Sequence, residues 1–380
     1  MEQGIPASYE ALNTAVATTV MNTHPVGSLA WNYESGLILC ALWELAKVSK
    51  EQPFLDHEKI THYVKGQVDT LILDDGSIKG YKKDEFNLDQ INSGKIVLEL
   101  YETYKDERYL KACQILRDQL RAHPRTELGG YWHKKIYPHQ IWLDGLYMYG
   151  PFAVRWAQIQ GEEELLREVA KNLQDIREKT LDPETGLLRH AWDERALQLW
   201  ADPRTGRSPH AWGRAMGWYC MALVDVLGLL SKEQTEYQRL RSILQDCLNI
   251  ILKYRDPQEK MWYQILDQRG RTGNYLETSC SSMFCYTMAK AWNRNILTDE
   301  TLIQSARESY TAIVKRYLRT DTEGKAHLGG ICKVAGLGGN PYRDGSFAYY
   351  MSEPVVEDDF KGLGPFILAG AELIRAQRKR

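Results

Sequence analysis

Apolar residues recur at helical spacing along almost the whole chain, and this periodicity constrains the fold more than any other feature of the sequence. Runs of alternating apolar and polar residues, which indicate strands, are short and lie between the periodic segments. The pattern predicts twelve helices, over residues 7–22, 33–48, 56–73, 89–104, 107–121, 144–159, 162–179, 211–230, 235–254, 277–293, 299–317 and 359–377. We therefore expect an all-α protein.

The connections between these segments alternate in length. Each even-numbered helix passes into the next odd-numbered one through a short turn, such as 104–107. Long connections follow the later odd-numbered helices, at 74–88, 122–143, 180–210, 255–276 and 318–358. Loops of this length inside a compact domain are usually functional. Because successive helices alternate in direction, we expect all of the long connections to lie at one end of the domain.

The two sets of helices also differ in composition. The even-numbered helices are apolar and rich in small residues, as in 213–217 and 279–282, whereas the odd-numbered ones carry a charged face, as in 162–171. Six apolar helices inside a ring of six amphipathic helices form an (α/α)6 barrel. An open helical solenoid is the alternative, but twelve helices allow the first to pair with the last, which favours closure. No low-complexity linker divides the chain, so we expect one catalytic barrel domain over residues 1–380.

Charge and cysteine content narrow the function classes. The formal net charge is −2, from 48 Lys and Arg against 50 Asp and Glu, which gives no electrostatic reason to expect a nucleic-acid or membrane-surface partner. No apolar run is long enough to span a membrane, and the N-terminus has no signal-peptide pattern. The seven cysteines, an odd number, indicate free buried thiols in a reducing compartment. These features predict a cytoplasmic protein.

Aromatic and titratable residues concentrate in the long connections and in the first turns of the even-numbered helices. Eight of the 11 tryptophans do so: Trp31, Trp132, Trp142, Trp192, Trp200, Trp212, Trp218 and Trp262. The same regions hold His133, His139, His190, His210, Asp89, Asp144, Asp193, Arg214 and Glu277. Sugar C–H faces stack on indole rings, while sugar hydroxyls need donors and acceptors. Together these residues indicate a carbohydrate site at the long-loop end of the barrel.

Simpler structural roles are open for the same residues. Asp89 and Asp144 stand where helices are predicted to begin, and Asp is a common N-cap residue. His190 is also compatible with a hydrogen-bonded loop histidine. Trp212 and Trp218 are six residues apart and face different sides of a helix, so one of them is compatible with a core position.

Arg214 has two readings as well. It either binds substrate or forms a structural ion pair with Asp193 or Glu277, and Glu277 itself is suited to the first turn of a helix.

Several catalytic classes find no support. The chain has no GxSxG motif, and its glycine-rich stretch at 336–339 continues as Asn340-Pro341 without the Lys-Ser/Thr of a phosphate loop. No HExxH or CxxC pair is present, so we expect neither a metal nor another cofactor.

Four motifs, in this order along nearly the whole chain, resemble those of the unsaturated rhamnogalacturonyl hydrolases, glycoside hydrolase family 105. They are Tyr131-Trp-His133, Ile141-Trp-Leu-Asp-Gly-Leu-Tyr-Met148, Leu188-Arg-His-Ala-Trp-Asp193 and Trp212-Gly-Arg-Ala-Met-Gly-Trp218. The resemblance implies an (α/α)6 barrel that works in the cytoplasm without a metal. Its substrate would be a small lyase-generated rhamnogalacturonan (pectin) oligosaccharide, from whose non-reducing end it removes a 4,5-unsaturated galacturonic acid, typically from rhamnose.

The resemblance also implies roles for individual residues. Asp144 matches the general acid/base, and Asp89 matches a second active-site aspartate. The positions expected to bind the unsaturated sugar are Tyr33, His133, Trp142, His190, Trp212, Arg214 and Trp218.

Two departures from the family pattern leave the leaving sugar open. They are the sequence Asn87-Leu-Asp-Gln90 and the loop 326–358. An unsaturated glucuronyl hydrolase acting on glycosaminoglycan or ulvan fragments is therefore the nearest alternative. A sugar epimerase using His133 and His190, and a non-catalytic sugar-binding protein, are more distant ones.

Overall fold

The computed structural model describes residues 8–51 and 54–379. Its helices are α1 (Tyr9–Thr23), α2 (Tyr33–Glu51), α3 (His57–Asp69), α4 (Gly94–Tyr104), α5 (Glu107–Ala122), α6 (Leu143–Gln160), α7 (Glu163–Thr180), α8 (Gly213–Leu227), α9 (Thr235–Lys253), α10 (Thr278–Asn293), α11 (Glu300–Tyr317), α12 (Phe347–Ser352) and α13 (Phe360–Arg378). Two 3₁₀ turns occupy Lys83–Glu85 and Leu88–Ile91. Each of the twelve predicted helical segments overlaps one of these helices, although the first predicted residue, 7, lies outside the described residues. The short helix α12 lies in the predicted connection 318–358 and was not predicted.

Two predicted boundaries are wrong. The segment 56–73 ends at Asp69, because Ile72 pairs with Ile78 in a β-bridge around a tight turn. The segment 89–104 is broken into a 3₁₀ turn and α4. The Asn87 side chain accepts a hydrogen bond from Asp89 N, and this contact favours the tighter turn.

The inner helices form a closed ring. Six helices pack against one another in this order: α2, α4, α6, α8, α10 and α13. The last of them, α13, packs against both α10 and α2, and this contact closes the ring. Each of α3, α5, α7, α9 and α11 lies on the outer side of the preceding inner helix, while α1 packs on α13. The (α/α)6 barrel is confirmed, and the open solenoid is excluded.

Small residues set the spacing of the ring. A Cβ atom at Gly36 of α2 would lie 2.6 Å from Ser93 Cα, and one at Gly364 of α13 would lie 2.6 Å from Leu37 Cγ. Neither contact tolerates a side chain, so glycine is required where these elements meet.

Six short strands stabilise the connections: β1 (Gln140–Trp142), β2 (Ala191–Asp193), β3 (Leu318–Thr320), β4 (Ala326–Leu328), β5 (Ile331–Cys332) and β6 (Val355–Val356). They pair antiparallel as β1–β2, β3–β4 and β5–β6. In the first pair, Trp142 lies opposite Ala191, and Leu143 N donates to His190 O at 3.1 Å. This pairing places the start of α6 beside the residue that precedes β2.

The long connections contact one another in chain order. Asn87 bridges Lys134, β1 pairs with β2, Trp212 bridges Ile265, and Thr278 N donates to Gly330 O at 2.9 Å. They therefore lie together at the end of the barrel where the inner helices begin, as predicted.

A continuous hydrophobic core reaches from Val16 in α1 to Ala376 in α13. All seven cysteines are free, and only Cys40 among them is not fully buried. Within the described ranges, no helix has the length and apolar character that a membrane span requires.

Candidate active site

Asp144 is the second residue of α6 and is 14% exposed. Its Oδ2 atom lies 3.2 Å from Nε2 of His190, which is completely buried. On the other side of the imidazole, His190 Nδ1 is 2.8 Å from the hydroxyl oxygen of Tyr350. The structure thus places the Asp144 carboxyl beside an imidazole that is hydrogen-bonded to a phenol, although Asp144 Oδ2 and His190 Nε2 are close without hydrogen-bond geometry.

Neither aspartate caps its helix. The N-cap residue of α6 is Trp142, and no side chain caps that helix. The 3₁₀ turn that contains Asp89 is capped by Asn87. Capping therefore does not explain either carboxylate.

Asp89 has a different environment from Asp144. Its side chain is 15% exposed, with Oδ2 at 2.6 Å from Lys134 Nζ and Oδ1 at 3.8 Å from His133 Nε2. Burial by itself would raise the pKa of the Asp89 carboxyl, but the positive charge of Lys134 and its hydrogen bond outweigh burial, so the pKa is lowered. Asp89 is a carboxylate at neutral pH.

A stack of aromatic rings forms one wall of the site. The Trp142 ring lies 4.6 Å from His133, at an interplanar angle of 15°, and 4.8 Å from Tyr137 at 20°. Burial lowers the pKa of His133 to about 4, although the Asp89 charge opposes the shift. His133 is therefore neutral. Its Nδ1 atom has no hydrogen-bond partner among the described residues.

The opposite wall is built from Trp212. Its ring centroid lies 4.7 Å from that of His190 and 6.1 Å from that of Tyr350. The guanidinium carbon of Arg214 is 4.8 Å from the Trp212 ring centroid. These contacts connect Arg214, through one indole ring, to the histidine that faces Asp144.

Within the described residues, Arg214 does not form the ion pair with Asp193 or Glu277 that the sequence left open. Among the described residues, no carboxylate oxygen of Asp193 or Glu277 lies within 4 Å of its guanidinium nitrogens. Instead, Nη1 donates to Cys332 O at 2.5 Å and to Ser279 Oγ at 3.3 Å. Glu277 accepts hydrogen bonds from Cys280 N and Cys332 N, and it caps α10.

The two remaining predicted residues, Tyr33 and Trp218, have different surroundings. Tyr33 is the first residue of α2, and burial raises its pKa, with the negative charges of Glu34 and Asp89 adding to the shift. Trp218 is fully buried in α8, where it stacks on Tyr147 at 4.8 Å. The Trp218 ring thus packs in the barrel interior rather than on the aromatic walls.

Sequence reasoning missed three residues of the site. Lys134 follows the Tyr131-Trp-His133 motif directly, so its position next to His133 was the available signal. Tyr137 lies three residues after Lys134 in the sequence. Tyr350 belongs to the short helix α12, and nothing around it in the sequence marks it.

Across residues 8–51 and 54–379, no group of three or more His, Cys, Asp or Glu side chains is arranged to hold a metal ion.

Comparison with known proteins identifies the family. The chain belongs to Glycosyl Hydrolase Family 88, whose model matches residues 12–377. A glycoside hydrolase of family 105 from C. acetobutylicum ATCC 824 is 41% identical to it, with a TM-score of 0.91 over 97% of this chain and 99% of that one. The resemblance to family 105 is therefore confirmed.

Two further relatives are more distant. The unsaturated rhamnogalacturonyl hydrolase YesR of Bacillus subtilis is 24% identical over 259 residues, which is 67% of this chain and 68% of that protein. The unsaturated glucuronyl hydrolase of Bacillus sp. GL1 is 14% identical, with a TM-score of 0.70 over 98% of this chain and 97% of that one, and this likeness concerns the fold alone.

Proposed function

We propose that this glycoside hydrolase removes a 4,5-unsaturated galacturonic acid from the non-reducing end of lyase-generated rhamnogalacturonan fragments, with Asp144 as general acid and base. The observation that carries the proposal is the Asp144 carboxyl at the opening of the barrel, in contact with His190 and enclosed by aromatic walls. Family membership supports the reaction class, an unsaturated uronyl hydrolase.

One proton donor is enough for this reaction. Most glycosidases use two carboxyl groups at the anomeric carbon. In an unsaturated uronate, the C4=C5 bond forms a vinyl ether with the ring oxygen, so protonation of C4 creates an oxocarbenium ion at C5. Water then adds at C5, and the resulting hemiketal opens and releases the aglycone. A single residue can deliver the first proton and accept one from the water.

The different partners of the two aspartates support Asp144 in this role. Asp89 is held ionised by Lys134 and has no proton to give at neutral pH. Asp144 has no Lys or Arg nitrogen within 4 Å among the described residues, and its neighbour is His190. The Asp89 carboxylate is instead suited to orienting substrate hydroxyls and to stabilising the positive charge that develops at C5.

Arg214 is suited to the substrate carboxylate. Both of its hydrogen-bonding contacts in the described structure use Nη1, which leaves Nε and Nη2 as the edge that takes a carboxylate by two parallel hydrogen bonds. The Trp212 ring fixes the plane of the guanidinium. A cation here would offset the charge of a uronate that enters beside Asp89.

The identity of the sugars rests on the relatives. YesR, named an unsaturated rhamnogalacturonyl hydrolase, retains 24% identity, whereas the likeness to the glucuronyl hydrolase is one of fold. We therefore expect kcat/KM to be at least tenfold higher for an unsaturated galacturonyl-rhamnose disaccharide than for unsaturated glucuronyl disaccharides from glycosaminoglycans. The loss of ultraviolet absorbance from the C4=C5 bond measures both, and the reverse preference would contradict the substrate assignment.

Substitution Asp144→Asn tests the catalytic assignment. The variant should fold and lose about 10²–10⁴-fold in kcat, because the amide cannot supply the proton. Asp118→Asn, on the outer helix α5, is the matched control and should retain full activity and melting temperature. An Asp144→Asn enzyme that keeps more than about a tenth of the wild-type rate would contradict general acid catalysis of the size that this mechanism requires.

A further inference from the structure

A cavity with a volume of about 320 Å³ opens at the end of the barrel opposite the active site. Its wall is formed largely by residues from the later turns of the inner helices, such as Glu44 of α2, Arg155 of α6, Asp225 of α8 and Lys290 of α10. The active-site residues lie before or at the first turns of the same helices. The volume falls within the range of about 300–1,000 Å³ that is typical of small-ligand sites.

Lys95 has no counterion in this cavity. Its Nζ atom lies 3.3 Å from the ring centroid of Tyr147 and 3.4 Å from the Tyr147 carbonyl oxygen. No carboxylate lies within 4 Å of Nζ in the described parts of the chain, whereas Lys47 pairs with Glu44 at 2.8 Å. Burial lowers the pKa of Lys95 to about 8, so the ammonium is still mostly protonated at neutral pH.

The lining as a whole has an excess of positive charge. The five cationic and three acidic side chains are Lys47, Lys95, Arg155, Lys290, Arg294, Glu44, Glu99 and Asp225. Each of the acids is already paired, Glu44 and Glu99 with Lys47 and Asp225 with Lys290. The unpaired charges are Lys95 inside the cavity and Arg294, which is exposed and has no ion pair within the described residues.

We propose that this cavity binds a small organic monocarboxylate of sugar-acid type, with its carboxylate on Lys95. One negative charge supplies the counterion that Lys95 lacks. The second charge of a phosphate dianion would find no unpaired cation beside it, because Lys47, Arg155 and Lys290 already pair with acids and Arg294 is exposed. The carboxylates of Glu99 and Asp225 accept hydrogen bonds from ligand hydroxyls, and Phe152 offers C–H contact. The site is separate from catalysis, because Lys95 makes no contact with Asp144, His190 or Arg214.

Calorimetric titration with D-galacturonate tests the proposal directly. Wild-type protein should bind galacturonate, and Lys95→Met should weaken that binding at least tenfold while leaving kcat on the unsaturated substrate unchanged. Lys111→Met, on the exposed side of α5, is the matched control and should bind like wild type. Neutral D-galactose and inorganic phosphate should bind at least tenfold more weakly than galacturonate. Binding that survives Lys95→Met would place the ligand elsewhere, in the active site, and would overturn the proposal.

Discussion

The hydrogen bond between Tyr350 and His190 should control the rate of the reaction. Burial raises the pKa of Tyr350 well above its ordinary value, so its hydroxyl remains protonated. In the described structure that hydroxyl has one hydrogen-bond partner, His190 Nδ1 at 2.8 Å, and we propose that it donates its proton there. An imidazole that accepts at Nδ1 carries its proton on Nε2, which lies 3.2 Å from Asp144 Oδ2. The histidine can then stabilise the carboxylate that forms as Asp144 gives up its proton.

The substitution Tyr350→Phe removes this donor and little else. His190 is completely buried, so its Nδ1 atom would find no replacement partner in water. Leaving a buried acceptor unpaired costs about 1–3 kcal/mol, and in the transition state this cost corresponds to a fall in kcat of about 5- to 150-fold. Because a phenyl ring still packs beside Trp212 and His190, we expect KM to change by less than about threefold.

Steady-state rates from the absorbance of the double bond measure the effect, and Tyr349→Phe is the matched control. The Tyr349 hydroxyl donates to Glu353 Oε1 at 2.6 Å and accepts from Gly336 N at 2.9 Å, away from Asp144. Its removal should lower the melting temperature and leave kcat unchanged.

A double-mutant cycle with His190→Gln isolates the interaction. If Tyr350 acts through His190, the two substitutions should show a coupling energy of at least about 1 kcal/mol in kcat. A Tyr350→Phe enzyme with kcat within twofold of wild type, or a cycle without coupling, would refute the reasoning.

Three other perturbations follow from the same structure. Arg214→Lys should lower kcat/KM about tenfold, or about 1.4 kcal/mol. It should also lower the melting temperature, because Cys332 O loses its donor. Unchanged kcat/KM in the folded variant would remove Arg214 from the substrate contacts. Lys134→Met should raise the pKa of Asp89, because it removes the ammonium that stabilises the carboxylate. The acidic limb of the pH profile of kcat/KM should then move to higher pH and activity should fall, whereas the control Lys135→Met should leave the profile unchanged. His123 has its pKa lowered from 6.5 to about 4 by burial, so below 6.5 the unfolded chain binds a proton that the native protein does not, and stability falls with falling pH. Denaturant titrations should show a loss of about 2 kcal/mol from this group between pH 7 and 5, which His123→Gln should remove; an unchanged slope in the variant would show that other groups set it.

The fold was predictable because its determinants are local and periodic. The inner helix α8 is apolar on nearly all sides and the outer helix α7 on one side, and this difference is visible in the sequence as a contrast between 213–227 and 163–180. The boundaries that were wrong depend on contacts that the periodicity does not contain, such as the β-bridge between Ile72 and Ile78.

The site was predictable in part. Its aspartates, histidines and tryptophans stand in recognisable motifs, and the structure brings Asp144, His190, Trp142 and Trp212 into contact. Tyr350 could not be found, because it reaches His190 from a helix 160 positions further along the chain. Trp218 shows the opposite case, since it shares a motif with Trp212 but lies six residues away on another face of α8, against Tyr147.

Asp89 and Asp144 differ in the side chains that contact them rather than in their place within a helix. Both stand in the first turns of helical segments, where the helix dipole favours the charged carboxylate. Asp89 alone acquires an ammonium, because residue 87 bridges residue 134 and thereby sets Lys134 against it. Asp144 acquires His190 and its hydrogen bond to Tyr350 instead, because the β1–β2 pair sets His190 against it. Two backbone pairings between long connections thus give one carboxyl group an ammonium partner and leave the other without a Lys or Arg partner among the described residues, and a reaction with a single proton donor needs two carboxyl groups in such different surroundings.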